Sequence, residues 1–485
     1  MHELRRRPAA LRRPAGGNGL SRRKLLKAGA IGALSTAAGF GKAAAAAPGR
    51  FPEGFRWGIS TSSYQIEGRG DRTADCIWDT FARRPGAISD RSNAEIACDS
   101  YHRFQEDVAL VAGAGLKAYR YSISWPRVMP QGSGRVDPRG LDYYSRLTDR
   151  LLEAGIEPWV CLFHWDLPQA LQDRGGWTSR AIADYFADYA QLMARHLGDR
   201  VGHWVMLNEA AVHAIMGHGS GEFAPGLKSE AAMYAAMHHQ NLAQGRALAA
   251  LRAVGGERFR LGTVMSLQPV RPGGGRAENA AAAALWDALW NRAFLDPLFH
   301  GRYPPLIARS LEKLIEPGDL ATIRQKVDFL GVNYYGPVYR RVAAGGFLGG
   351  NWGAPPADMP RTAMGWPIDP AALSDLLLEL RDRYGDPVLY ITENGAAFHE
   401  EPTAGRVADT QRIAYLRDHI LVCHRAIAQG ARLRGYFVWT LMDNFEWTHG
   451  YTAHFGLASV DRATLKRTPK ESYDWFAKIA ASNAI

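Results

Sequence analysis

Eight short apolar segments recur along the chain, at 55–60, 117–124, 156–163, 203–208, 261–266, 328–333, 387–392 and 434–439. Each is a run of apolar and aromatic residues with little polar alternation, the pattern of a strand buried on both faces. Helical periodicities lie between them, at 94–112, 142–154, 179–197 and 370–384. Strands alternating with helices predict a parallel α/β fold, either a doubly wound sheet or a barrel. Two features favour the barrel: the count of eight, and the polar or aromatic residues just past the C-terminal end of nearly every strand. That end is where barrel enzymes carry their chemistry. The expected fold class is α/β, a single (β/α)8 TIM barrel spanning residues 48–485.

A formal charge of +10 on 485 residues suggests, taken as a whole, nucleic acid or an anionic membrane as partner. The charge is not spread over the chain. Residues 1–47 hold ten basic side chains and one acid, Glu3, so residues 48–485 are close to neutral. No nucleic-acid partner is expected. Ser21-Arg22-Arg23-Lys24-Leu25-Leu26-Lys27 fits the twin-arginine pattern, followed by an apolar stretch at 28–40 and small residues at 43–47. Basic, apolar and small-residue regions in that order predict a signal peptide over 1–47, cleaved within 45–47, and export to the periplasm or medium. The apolar stretch is interrupted by Gly29, Gly32 and Gly39 and is too short to span a bilayer, so no stable membrane anchor is expected. The alternative is a basic tail on a cytoplasmic protein.

The four cysteines, Cys76, Cys98, Cys161 and Cys423, are scattered and read as small core residues. His238 and His239 have no third ligand at metal-site spacing and read as helix-packing residues, so no metal is expected. The absence of a dinucleotide fingerprint or a Cys cluster in the sequence gives no support for a cofactor. Segment 344–363, rich in Gly and Pro, reads as a long active-site loop.

The strand ends carry the functional signal. Arg120 lies inside an apolar strand, where a guanidinium needs an anion. The next strands end in Phe163-His164-Trp165-Asp166, Leu207-Asn208-Glu209, Asn333-Tyr334-Tyr335 and Thr392-Glu393-Asn394, and the last exits through Trp439 toward Glu446-Trp447. A single strand-end Glu is more often a structural ion pair or helix cap. Gathered at one barrel mouth, however, these ends supply two carboxyls, a cation and several aromatics. Glycoside hydrolysis needs two carboxyls, one to protonate the departing oxygen and one to attack or to activate water. A cofactor-loaded oxidoreductase and a sugar-binding protein on a retired hydrolase scaffold are the competing classes.

The same segments resemble family 1 of the glycoside hydrolases, typified by β-glucosidases. The resemblance runs from about 51 to 476 through FPEGFRWGISTSSYQIEG, CIWDTF, YRYSISWPR, HWDLPQAL, GGWTSR, GEFAPG, WNRAFLDPLFHGRYP, FLGVNYYG, TAMGWPIDP, LYITENGA, GYFVWTLMDNFEW and HFGLASVD. It implies an exo-acting retaining β-glycosidase, foremost a β-glucosidase, with Glu393 as nucleophile and Glu209 as general acid/base. It further implies that Arg120 holds Glu393 ionised, that Tyr335 hydrogen-bonds the same carboxylate, and that burial and the neighbouring charge raise the pKa of Glu209. Sugar recognition maps onto Gln65, His164, Trp165, Asn208, Trp439, Glu446 and Trp447. An acid at Glu446 would repel a phosphate, so the expected partner is a small, unphosphorylated β-glycoside. The acid/base motif departs from the family pattern at Met206 and Ala210, where Thr and Pro are usual. Gluco, galacto and fuco preference, aglycone and oligomeric state are left open by the sequence.

Overall fold

In a computed structural model, which describes residues 49–400, 402–403 and 405–485, all eight apolar segments are strands. They are β1 (Arg56–Ser60), β2 (Ala118–Ser122), β3 (Glu157–Phe163), β4 (His203–Asn208), β5 (Arg260–Ser266), β6 (Phe329–Tyr334), β7 (Leu389–Asn394) and β8 (Leu433–Trp439). Each pairs in parallel with its neighbours in chain order, and β8 closes on β1. Ser60 therefore faces Arg120 on one side and Trp439 on the other. The signal-peptide reading of 1–47 and its cleavage point lie outside the described residues.

The barrel is filled rather than hollow. Ala118, Trp159, Cys161, Val205, Val264, Phe329 and Phe437 form its interior cluster. The Trp159 ring stacks on His203 at 4.0 Å and meets Phe329 and Phe437 at 5.2 and 5.1 Å. Rings of that size fit only where neighbouring strands have no side chain. A Cβ on Gly58 would lie 2.4 Å from the Phe437 ring, and one on Gly262 would lie 2.5 Å from the Phe329 ring. Large residues thus alternate with absent ones, as barrel interiors require. This apolar plug leaves the C-terminal ends of the strands as the place where polar groups converge.

Three expectations shift in detail. The helix expected at 94–112 begins only at Ser100. Residues 94–99 instead wrap a turn in which Arg69 N–H donates to the Glu95 carbonyl and Cys98 N–H to that of Ile66. That approach is so close that a Cβ on Gly68, at φ +74°, would lie 2.4 Å from the Ile96 oxygen. The helix expected at 142–154 starts earlier, at Pro138, with the Asp137 carboxylate accepting from Arg139 N–H. Segment 344–363 is not loop throughout. It contributes strand Gly350–Trp352 to a three-stranded sheet with Val338–Val342 and Val270–Pro272.

The four cysteines are buried and free. His238 is satisfied by Tyr303 and Asp319 at 2.9 Å each, in keeping with a packing role. Among the described residues no helix is long and apolar enough to cross a membrane.

Candidate active site

The C-terminal ends of the strands bring together a linked set of side chains around a cavity of about 520 Å³. Glu209 follows β4 and Glu393 lies on β7, and both line it with His164, Trp165, Tyr335, Trp439, Glu446 and Trp447. Gln65, Arg120 and Asn208 are 0, 0 and 1 % exposed and are bonded directly to lining residues.

Arg120 is the hub. Its Nη1 donates to Glu393 Oε1 at 2.6 Å and its Nη2 to Asn208 Oδ1 at 2.5 Å. The Tyr335 hydroxyl donates to the other Glu393 oxygen at 2.7 Å. Glu209 is held differently. Its side-chain partner is the Asn333 amide, which donates to Oε1 at 2.8 Å. Asn333 is in turn fixed by the Thr392 hydroxyl at 2.7 Å and also donates to Asn208 at 3.1 Å. Asn333 was absent from the expected site set. Its signal was its place beside Tyr334 and Tyr335 at a strand end.

The remaining amide of Asn208 sits 2.9 Å from His164 Nε2. Because Asn208 Oδ1 already accepts from Arg120 and Asn333, its Nδ2 donates here, so His164 Nε2 carries no proton. The imidazole is neutral, since burial and then the Arg120 charge pull its pKa well below the usual value. Its proton is therefore on Nδ1, which is buried and has no protein partner. That leaves one free donor for a ligand hydroxyl. The Trp165 indole N–H donates to the Asn208 carbonyl at 3.0 Å, locking the strand end.

Gln65 Nε2 reaches Glu446 at 3.2 Å, the Phe445 carbonyl at 3.0 Å and Asn444 at 3.1 Å, while Ser62 fixes its oxygen at 2.6 Å. Trp447 packs between Trp78 and Trp165 at 4.6 Å each, and His164 lies 5.9 Å from both Trp439 and Trp447 in stacked orientation. Aromatic faces beside forked polar groups are what a sugar ring presents a need for.

The carboxyls differ in electrostatics. Burial, then the Glu393 charge, pushes Glu209 up to about 8 against the Asn333 donor. Burial also raises Glu393, against Arg120 and Tyr335. Desolvation of this buried carboxyl thus opposes the cation that is expected to hold Glu393 ionised. The order within the pair still follows from the partners. Glu393 has a cation and a hydroxyl, whereas Glu209 has one neutral amide, so the proton resides on Glu209. Glu446, with Gln65 but no cation, is pushed by burial and by Glu393 to about 8.

Glu209 itself adopts φ +50°, ψ +50° before a short helix, Ala210–Val212, that leads into a π-helical turn, His213–Ser220. Met206 and Ala210, the departures from the family pattern, are buried and pack in the core.

A closed parallel barrel with a buried pair of carboxyls of unequal proton affinity at its C-terminal mouth has the build of a glycoside hydrolase. Comparison with known proteins makes this specific. Residues 47–485 match the model of glycosyl hydrolase family 1. The chain is 40% identical to Beta-glucosidase A of Thermotoga maritima over 90% of this chain and 99% of that one. It is 45% identical to Thermostable beta-glucosidase B of Thermobispora bispora over 90% and 91%. The solved family 1 β-glucosidase of Thermotoga maritima superimposes with a TM-score of 0.86, at 40% identity over 90% of this chain and 99% of that chain. Its complex with deoxynojirimycin gives the same values. The chain belongs to glycosyl hydrolase family 1 and is an enzyme of that family.

Proposed function

We propose that this enzyme is an exo-acting, retaining β-glucosidase of unphosphorylated β-glycosides. The observation that carries the reading is the unequal support of the two carboxyls: Arg120 and Tyr335 at Glu393, Asn333 alone at Glu209. Glu393 attacks the anomeric carbon while Glu209 protonates the departing oxygen, and a covalent glycosyl-enzyme forms. Glu209, now a carboxylate, takes a proton from the water that cleaves the intermediate. Tyr335 must release one hydrogen bond as the Glu393 oxygen becomes an ester, and Arg120 steadies the carboxylate until then. Asn208 lies where it can bond the 2-hydroxyl. His164 Nδ1–H, Gln65 and Glu446 bond the remaining hydroxyls, with Trp439 and Trp447 against the ring.

The test uses azide. Glu393→Ala should be inactive in water and yield an α-glycosyl azide when azide is supplied, because one displacement then replaces two. A β-azide product would refute the assignment of Glu393.

We further infer that residues 1–47 direct twin-arginine export, placing the enzyme in the periplasm or medium, with 48–485 as the catalytic domain. The support is the sequence pattern at 21–27. Replacing Arg22 and Arg23 by Lys should retain the enzyme inside the cell. Unchanged export, read by fractionation, would refute this.

A further inference from the structure

Beyond the strand ends, a second buried arginine that the mechanism does not use lies behind the cavity wall, next to the lining residues Tyr339 and Trp352. Arg340 is 4 % exposed, and its Nε is buried without a hydrogen-bond partner. Among the described residues no carboxylate pairs with it, and burial alone lowers its pKa to about 10. What faces the charge is aromatic. The guanidinium carbon lies 4.0 Å from the Trp286 ring centre and 4.8 Å from that of Trp352. Arg340 and Trp352 are direct partners across the antiparallel strands Val338–Val342 and Gly350–Trp352. Trp286 in turn stacks on Trp290 at 5.3 Å.

Trp352 is 48 % exposed, and both it and Trp290 line the cavity that holds Glu209 and Glu393. The Trp290 indole nitrogen is buried and has no partner. An exposed indole costs hydration free energy, and one fixed from behind by a desolvated cation loses little freedom when a ligand arrives. Phe223, Tyr339 and Met364 also line the cavity.

We propose that Trp352, held by Arg340 and Trp286, is a stacking platform for the ring of an extended aryl aglycone, which makes the enzyme selective for β-glycosides of phenolic compounds. This rests on the β-glucosidase reading and names its substrate class. A flat arene is favoured over a further sugar for an electrostatic reason. A cation held against an indole draws its π density inward, so the free face is less negative. Sugar C–H groups are electropositive and lose attraction to such a face, whereas the electron-rich face of a phenol gains it.

The test compares kcat/KM on methyl β-glucoside, cellotriose and an isoflavone 7-O-β-glucoside. Trp352→Leu should lower the isoflavone-to-methyl ratio about tenfold, mainly through KM. Trp352→Phe should recover most of it, and Arg340→Met should lower the isoflavone-to-cellotriose ratio about threefold. Wild-type turnover of all three with the ratios unchanged in Trp352→Leu would overturn the platform alone. So would a cellotriose loss equal to the isoflavone loss. A wild type that cleaves none of the three would refute the underlying β-glucosidase reading.

Discussion

Arg120 beneath the floor of the cavity and Arg340 behind its outer wall are both deeply buried, and they are held in opposite ways. Arg120 donates to a carboxylate and to an amide oxygen that also accepts from Asn333. Arg340 has two indoles and no anion among the described residues. On the floor, the charge of Arg120 is matched to a carboxylate assigned to the reaction, so removing one strands its partner. In the wall, the charge is matched only to polarisable surface, which tolerates replacement. The floor is built from barrel strands and the wall from a small sheet inserted after β5 and β6. The difference separates what the reaction requires from what a particular substrate requires.

The largest effect that would test this contrast is Arg120→Met. It leaves Glu393 buried and unpaired at a cost of about 3–5 kcal/mol, so kcat/KM should fall on the order of 10²–10³-fold. A loss below tenfold in steady-state assays would erase the distinction between the two arginines. Next comes Glu209→Gln. Alkyl glucosides should lose about 10²–10⁴-fold, whereas the glycosylation step for aryl glucosides with good leaving groups should lose far less. In the wild type, the acid must be protonated, so kcat/KM should decline as pH rises through about 8. The decline should vanish for activated substrates in the Gln variant.

Glu446→Gln probes the floor through stability. The carboxyl is raised to about 8 from an ordinary 4.5, so its neutral form suits the fold. Its stabilising contribution is complete below the unfolded value and is lost as pH rises through the folded one. The Gln variant should therefore gain on the wild type by a few degrees in Tm at pH 9 relative to pH 5. Equal shifts at both pH values would count against an uncompensated carboxyl. The smallest expected effect is on the wall. Arg340→Met exchanges a desolvated cation for an apolar side chain of similar length and should change stability by less than about 1 kcal/mol, measured by denaturant unfolding. A loss approaching that of Arg120→Met would merge the two regions.

The floor was largely legible in the sequence because barrel strands write it directly. A doubly buried strand is an apolar run, and the polar residue that ends it is conspicuous. Glu209, Glu393, Arg120 and His164 stand out in that way. Asn333 stood out less: its one signal was its place at a strand end before two tyrosines, and its role shows only once Thr392 and Asn208 are placed. The wall was legible only as an active-site loop: Trp352, Gly353, Pro355 and Arg361 of segment 344–363 do line the cavity, but its sheet was not foreseen. Its strands are three short pieces, Val270–Pro272, Val338–Val342 and Gly350–Trp352, too brief for periodicity, and Trp286 packs against Arg340 and Trp352 from 54 and 66 positions earlier in the chain. The shortened helix at Ser100 has the same origin, since residues 94–99 answer to a turn at Gly68 rather than to their own propensity.

Closure of the barrel also has a temporal meaning. Gln65 and Glu446, which face each other across the junction of β1 and β8, are separated by 381 positions along the chain. Contacts of that span are the last to be satisfied as a polypeptide is made and the slowest to search. This end of the site therefore cannot assemble on a nascent or truncated chain. Catalysis becomes a certificate of completion: a molecule that turns over substrate is one whose first and last strands have already met.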